Sequence, residues 1–73
     1  MSDFNRLIEK LENIKKDCNK QSNKNKLSSI KRNLVSLKEL LDRVYTLSNI
    51  LNSEKEVEWF YDRFKELKKE VKR

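Results

Sequence analysis

The chain has 73 residues, a formal net charge of +6 and a mean hydropathy of −0.97, which indicates one small, strongly charged domain. It contains no histidine and no glycine, and Cys18 is its one cysteine. These absences exclude an intrachain disulfide, histidine-based catalytic triads, P-loops and dinucleotide-binding loops. We therefore expect a protein without enzymatic activity, catalytic residues, cofactor or metal site.

The composition also carries information on source and location. Lysine and asparagine are abundant, whereas glycine, alanine, proline and histidine are absent. This bias is typical of AT-rich coding sequence, as in a low-GC bacterium, its phage or plasmid, or a virus. No apolar run approaches the ~18 residues of a membrane span, and the N-terminus has no signal-peptide pattern. We expect a cytoplasmic protein, in the host cell if the gene is viral.

The first predicted element is a helix over residues 3–18, capped by Ser2 or Asp3. Apolar residues recur in it at three- and four-residue spacing: Phe4, Leu7, Leu11, Ile14 and Cys18. Cys18 ends this stripe and is expected to pack as a small apolar side chain, with a reactive or dimer-linking thiol as the alternative. Residues 19–25 contain no apolar side chain and predict a polar, basic loop.

The second predicted helix covers residues 26–51, and the third covers residues 54–72. The second stripe runs from Leu27 to Leu51, and the same period continued further reaches only charged positions. The spacing of Ser53 and Glu56 is that of a capping box, which predicts a turn near 52–53 and a new helix after it.

Three amphipathic helices predict an all-α, up-down-up bundle in a single domain, 1–73, with the second helix at its centre. In that arrangement the start of the second helix lies near the end of the third, where Glu66 and Glu70 are placed to pair with Lys24, Lys31 or Arg32. The alternative is a long helical hairpin that completes its core by dimerisation.

The excess positive charge lies in one segment, since residues 19–38 carry six basic and no acidic side chains. Basic residues near the start of a helix oppose the helix dipole, which suggests a role in binding an anion. The candidate anion or nucleic-acid patch consists of Lys20, Lys24, Lys26, Lys31, Arg32 and Lys38. The alternative interpretation is a solvated face whose charges pair with the third helix.

The third helix carries aromatic residues and an acidic row with one carboxylate at every fourth position from 54 to 70. Trp59 and Tyr61 are expected on opposite flanks of the core stripe, where they either close the core or contact a partner. Tyr61 lies on the side of three lysines, which would also suit base stacking. The candidate protein-contact surface is Trp59, Tyr61, Glu58, Asp62 and Glu66.

Two functional hypotheses follow. The first is a non-enzymatic helical module of regulator, inhibitor or immunity type, which self-associates, recognises a protein partner, or does both. Val35 and Ile50 are further apolar residues expected on its surface. The second is a nucleic-acid-binding protein that uses residues 20–38. Binding to an anionic membrane is less favoured because the apolar faces are expected to pack on each other, and no small-molecule substrate is expected.

Overall fold

The structure is a computed structural model that describes residues 3–71, without the side chains of Asp3, Lys38 and Val71. This part of the chain contains four α-helices: α1 (Asp3–Asp17), α2 (Gln21–Leu34), α3 (Leu41–Ser48) and α4 (Val57–Val71). Short 3₁₀ turns, Lys38–Leu40 and Glu54–Glu56, precede α3 and α4. The all-α bundle is confirmed, with four helices where three were predicted. The predicted cap by Ser2 or Asp3 lies outside the described residues and side chains.

The helices pack in a ring, in which α1 contacts α2, α2 contacts α4, α4 contacts α3, and α3 contacts α1. Three contacts set α2 and α4 side by side in the same direction: Asn23 with Glu54, Lys26 with Tyr61, and Asn33 with Lys68. Arg43 pairs with Glu70, so the start of α3 lies at the end of α4. The start of α2 therefore lies beside the start of the last helix, and the prediction that it lies near that helix's end is wrong.

The predicted helix over 26–51 is wrong because the chain turns back after Leu34. A helix of that length would measure ~39 Å, whereas the greatest extent of the molecule is 35 Å. Its second half would pass beyond α1 and α4, which have 15 residues each. Turning back instead brings Leu40, Val44 and Leu51 into the core, where each is at most 5% exposed.

Local side chains end α2 without glycine or proline. The Asn33 amide donates to the carbonyl of Ser29 (2.7 Å), and the Ser36 hydroxyl donates to the carbonyl of Asn33 (3.0 Å). The backbone N–H groups of Ser36 and Leu37 then reach back three residues instead of four. Side-chain bonds of this kind compete with the helical pattern, and the last turn tightens to 3₁₀ geometry.

The predicted loop over 19–25 is also corrected, since α2 begins at Gln21. Asn23 lies one turn before Leu27 on the buried side of the helix and is 6% exposed. Its amide donates to a carboxylate oxygen of Glu54 (2.8 Å). A polar side chain therefore lies on the core side of the helix with a hydrogen-bond partner, as buried polar groups require. The predicted capping box at Ser53 and Glu56 is confirmed.

The core draws on all four helices and the connections between them. Its members are Leu7, Leu11, Ile14, Cys18, Leu27, Ile30, Leu34, Leu40, Val44, Leu51, Val57, Phe60 and Phe64. Cys18 packs in this core as expected. Burial raises the pKa of its thiol, and the charge of Glu54 acts in the same direction. A thiol with a raised pKa is a poor nucleophile, which argues against the alternative of a reactive cysteine.

Candidate interaction groove between α1 and α2

An open groove runs along the outer surface where α1 packs on α2, with a volume of about 610 Å³. Its apolar floor is formed by Phe4 and Ile8 of α1 and by Val35, which follows α2. Phe4 and Ile8 are half-buried against the core, whereas Val35 is 61% exposed. The remaining lining is polar and mostly basic: Lys15, Ser28, Lys31 and Arg32.

Helix geometry explains why these residues meet. Phe4, Ile8 and Lys15 are four and seven positions apart on α1, and Ser28, Arg32 and Val35 have a similar spacing along α2. Each row therefore lies on one face of its helix, and the two faces adjoin. At about 1.5 Å per residue, the row on α1 extends over ~16 Å, or three helical turns.

The groove becomes more basic toward the end of α1. Lys15 also borders a neighbouring depression of about 320 Å³, which it shares with Glu12, Lys16 and Lys24. Among the described side chains, no ion pair involves Lys15, Lys16, Lys24 or Arg32. One end of this surface is thus apolar and the other is positively charged.

Lys31 is the rim cation with a charged partner. It forms an ion pair with Glu12 that joins α2 to α1, and the hydrogen bond and charge of Lys31 lower the pKa of Glu12. Both side chains are about half exposed, at 46% and 48%, so solvent screens the pair and its contribution to folding is small. Its main effect on the groove is to neutralise one of the rim charges.

The predicted basic patch is divided between different surfaces. Lys24, Lys31 and Arg32 face α1 and border the groove or its basic end. Lys26 lies instead on the side of α4, with its ammonium 5.9 Å from the centre of the Tyr61 ring. Lys20 lies at the start of α2, next to Glu54. The side chain of Lys38 is outside the described part of the structure.

Glu54 supplies the start of α2 with the negative charge that its own first turn lacks. Its carboxylate accepts hydrogen bonds from the backbone N–H groups of Asn19 and Lys20, both at 3.0 Å, and from the Asn23 amide at 2.8 Å. The bond from Asn19, followed by those from Asn23 and Lys20, lowers the pKa of Glu54 to about 2. The carboxylate satisfies free N–H groups and complements the helix dipole. No residue of α2 itself indicates this cap.

The predicted aromatic contact residues lie on separate flanks of α4. Trp59 is 39% exposed, and the guanidinium of Arg63 lies 5.4 Å from the centre of its ring. Tyr61 is half-buried on the flank toward α2, with Lys26 at 5.9 Å and Lys65 at 5.0 Å from its ring. Because two cations already occupy the surroundings of the Tyr61 ring, it is a poor platform for stacking a base.

The acidic row of α4 is partly engaged within the molecule. Glu54 caps α2, Glu66 pairs with Arg63 at 3.1 Å, and Glu70 pairs with Arg43 at 2.8 Å. Two members of the row are exposed and form no ion pair with a described side chain: Glu58 and Asp62. The expected pairing of Glu66 and Glu70 with the basic residues of α2 is therefore wrong, since other arginines take these carboxylates.

Val35 and Ile50 were expected on the surface, and both are exposed, at 61% and 49%. They do not share a site. Ile50 follows α3 and, with Leu47, borders a shallow depression of about 360 Å³ whose other residues are Asp42, Arg43 and Thr46. This depression has acidic and basic neighbours in equal number, whereas the groove at Val35 is bordered by cations. The groove therefore combines apolar surface with net positive charge, a combination that the depression at Ile50 lacks.

Comparison with known proteins adds no assignment: no protein-family model, curated protein or solved structure matches the chain. None of the helices described between residues 3 and 71 combines the length and apolar character needed to cross a bilayer. The same part of the chain has no group of three or more potential acidic, cysteine or histidine metal ligands. A functional assignment therefore depends on the chemistry of the groove.

Proposed function

We propose that this chain is a non-enzymatic interaction module that binds a protein partner in the groove between α1 and α2. The observation that carries the proposal is an apolar floor, formed by the half-buried Phe4 and Ile8 and the exposed Val35, directly beside a basic rim. Apolar surface rimmed by polar groups is typical of protein-binding sites. The module acts as a regulator or inhibitor by occupying its partner's surface, in the cytoplasm, where a single buried thiol such as Cys18 is stable.

The apolar floor favours a protein over a phosphate-bearing ligand. Burying one large apolar side chain contributes about 1.5–3 kcal/mol, so Val35 and the exposed parts of Phe4 and Ile8 give a partner a substantial gain in affinity. The rim cations then orient the partner and accelerate its association. A phosphate backbone would use the rim alone and leave the floor in water.

The proposal is tested with a photo-crosslinking residue placed at Val35 and, as a matched control, at Ile50. Both positions are exposed apolar residues that follow a helix, but only Val35 lies in the groove. In cells that encode the chain, we expect a discrete protein adduct at position 35 and not at position 50.

The partner is then purified, and its affinity is measured with Val35→Asp and Ile50→Asp. We expect at least a tenfold loss for the first variant and none for the second. Adducts confined to position 50, adducts with nucleic acid only, or equal effects of the two variants would contradict the proposal.

A second candidate function is binding to nucleic acid, which is favoured by a specific observation. Lys15, Lys16, Lys24 and Arg32 border one continuous surface, and none forms an ion pair with a described side chain. If they bind phosphates, their joint change to Gln will weaken binding and reduce the steepness of its salt dependence by about 0.9 for each phosphate that is no longer neutralised. An unchanged slope for random duplex and single-stranded probes excludes this function.

A further inference from the structure

We infer that the partner segment held by the groove is an acidic amphipathic helix of about three turns, supplied by a different protein. This inference rests on the proposed function and adds the chemistry of the partner. Apolar side chains of the segment lie on Phe4, Ile8 and Val35, and its carboxylates face Lys15 and Arg32.

The shape of the site suits a helix. The groove lies between two packed helices, and a third helix placed along it would make the same kind of contact that helices make within the bundle. The row from Phe4 to Lys15 extends over three turns, which sets the length of the segment. The part of the chain that the structure describes has no strand whose edge an extended peptide would join.

The charge of the site selects an acidic segment. The lining of the groove contains three cations and no carboxylate: Lys15, Lys31 and Arg32. Glu12 neutralises Lys31 from the side, and Lys16 and Lys24 extend the positive surface beyond Lys15. A segment with carboxylates would gain from charge complementarity, whereas a basic segment would be repelled.

The distribution of charge also predicts how apolar and acidic residues are arranged along the bound segment. The floor residues Phe4 and Val35 lie at one end of the groove, and Lys15, Lys16 and Lys24 lie at the other. The apolar anchors of the bound helix are therefore concentrated in its first or last turns, and the acids that face Lys15 in the opposite ones. Arg32, about one turn from Val35, faces an acid next to the anchors.

The bound segment is not a helix of a second copy. Among the helices described between residues 3 and 71, α4 is the one with an acidic row, and its apolar face is already used: Phe60 and Phe64 are at most 1% exposed. Displacing α4 would remove the two largest buried side chains from the core. A separate protein, whose amphipathic helix is free to dock, is the occupant consistent with the structure.

Three synthetic peptides of ~16 residues test the inference on the full chain; this length lies just above the range in which isolated helices are marginal, so that docking can complete the helix. The first is an acidic amphipathic helix, the second carries Lys in place of every acid, and the third has the acidic composition with its apolar residues spread around the helix. Fluorescence anisotropy gives the affinities, and amide chemical shifts locate the site. We expect the first peptide to bind at least tenfold more tightly than the others and to shift residues around Phe4, Ser28 and Val35.

Charge-reversal variants test whether binding depends on the cations of the groove or only on the net positive charge of the chain. Lys15→Glu and Arg32→Glu should each weaken the acidic peptide by at least tenfold. Lys69→Glu makes the same charge change at an exposed position of α4 and should leave the affinity within twofold. Equal losses from all three variants, or shifts that map outside the groove, overturn the inference.

The outcomes also distinguish this inference from the proposed function. If none of the peptides binds while a protein adduct persists at position 35, the assignment of an acidic helix as the occupant is wrong and the proposed function stands. If duplex nucleic acid or anionic vesicles shift the groove residues and the acidic peptide does not, the inference is overturned. Absence of a protein adduct at position 35 in cells overturns the proposed function and the inference with it.

Discussion

The two sides of α2 face different neighbours and differ in how their polar residues are used. On the side of α4, three polar residues each contact a residue of the last helix or its 3₁₀ turn: Asn23 with Glu54, Lys26 with Tyr61, and Asn33 with Lys68. On the side of α1, Arg32 and Val35 border the groove and Lys24 borders the depression beside it. Of the basic residues on this side, Lys31 alone has an ion-pair partner among the described side chains. One flank of the helix is thus structural and the other is available to a ligand.

This difference shows why a count of lysines along a helix is a poor guide to function. Lys24 and Lys26 are two positions apart and identical in chemistry, yet only Lys24 borders the basic depression that adjoins the groove. Residues two positions apart lie about 200° apart around a helix, so neighbours in sequence face different surfaces. The comparison of the two flanks can be tested by substitutions made in matched pairs.

The largest expected difference is between two adjacent residues, Leu34 and Val35. Leu34 is fully buried, and Leu34→Ala should lower the free energy of unfolding by about 2–5 kcal/mol. A domain of this size has a total stability of about 3–5 kcal/mol, so this variant should be largely unfolded. Val35→Ala should change stability by no more than about 0.5 kcal/mol and should weaken partner binding instead.

Circular dichroism during urea unfolding measures both values. Similar losses for Leu34→Ala and Val35→Ala would mean that Val35 belongs to the core and that the groove does not exist in solution. A stable Leu34→Ala variant would contradict the packing of α2 on its neighbours.

The next largest effect is a dependence on pH at the α4 side of α2. Glu54 has a pKa of about 2 in the folded chain, against an ordinary value of 4.5. Its contribution to stability is therefore present above pH 4.5 and is lost as the pH falls toward 2. We expect Glu54→Gln to lower the melting temperature at pH 7 and to reduce the further loss on acidification.

Glu58→Gln is the control for Glu54→Gln, because it removes the same charge one turn later without removing a bond to α2. This variant should retain the wild-type loss of stability between pH 4.5 and pH 2. If Glu54→Gln melts at the wild-type temperature at both pH values, the carboxylate does not cap α2.

The sequence predicts the parts of the fold that local patterns determine. Apolar spacing defines the helical stripes, and the Ser53–Glu56 box marks the start of the last helix. The break after Leu34 could not be read in the same way, because the apolar stripe continues through it. It depends on the competing bonds of Asn33 and Ser36 and on the short length of the helices that α2 packs against.

The candidate site was only partly predictable for a different reason. Exposure of Val35 and the basic character of Lys24, Lys31 and Arg32 follow from their positions on the helix. Which neighbour each one faces depends on the direction of α2 relative to α4, which no local pattern specifies. The cap of α2 by Glu54 comes from 34 positions beyond Lys20 and is likewise a product of tertiary structure.

A smaller difference is expected between Lys26 and Lys24. Lys26→Gln removes a cation from the surroundings of the Tyr61 ring and should cost about 0.5 kcal/mol. Lys24→Gln removes a positive charge near the start of α2, where it opposes the helix dipole, and should raise stability by about 0.3 kcal/mol. Thermal unfolding at low salt measures both. Equal effects of the same sign would mean that the two flanks of α2 do not differ energetically.

The last effect is expected in binding and not in stability, and it concerns Glu12, which pairs with Lys31 and neutralises part of the basic rim. Glu12→Gln should raise the affinity for the acidic peptide by about two- to fivefold at low salt, because Lys31 then faces the ligand with its full charge. The gain should fade as salt increases, since exposed charges are screened. Glu9→Gln, an exposed change on α1 outside the groove lining, should leave the affinity unchanged. A fall in affinity for Glu12→Gln would show that Glu12 holds Lys31 in position for the ligand instead of competing with it. Lys31 would then count with Lys15 and Arg32 as a cation that binds the ligand.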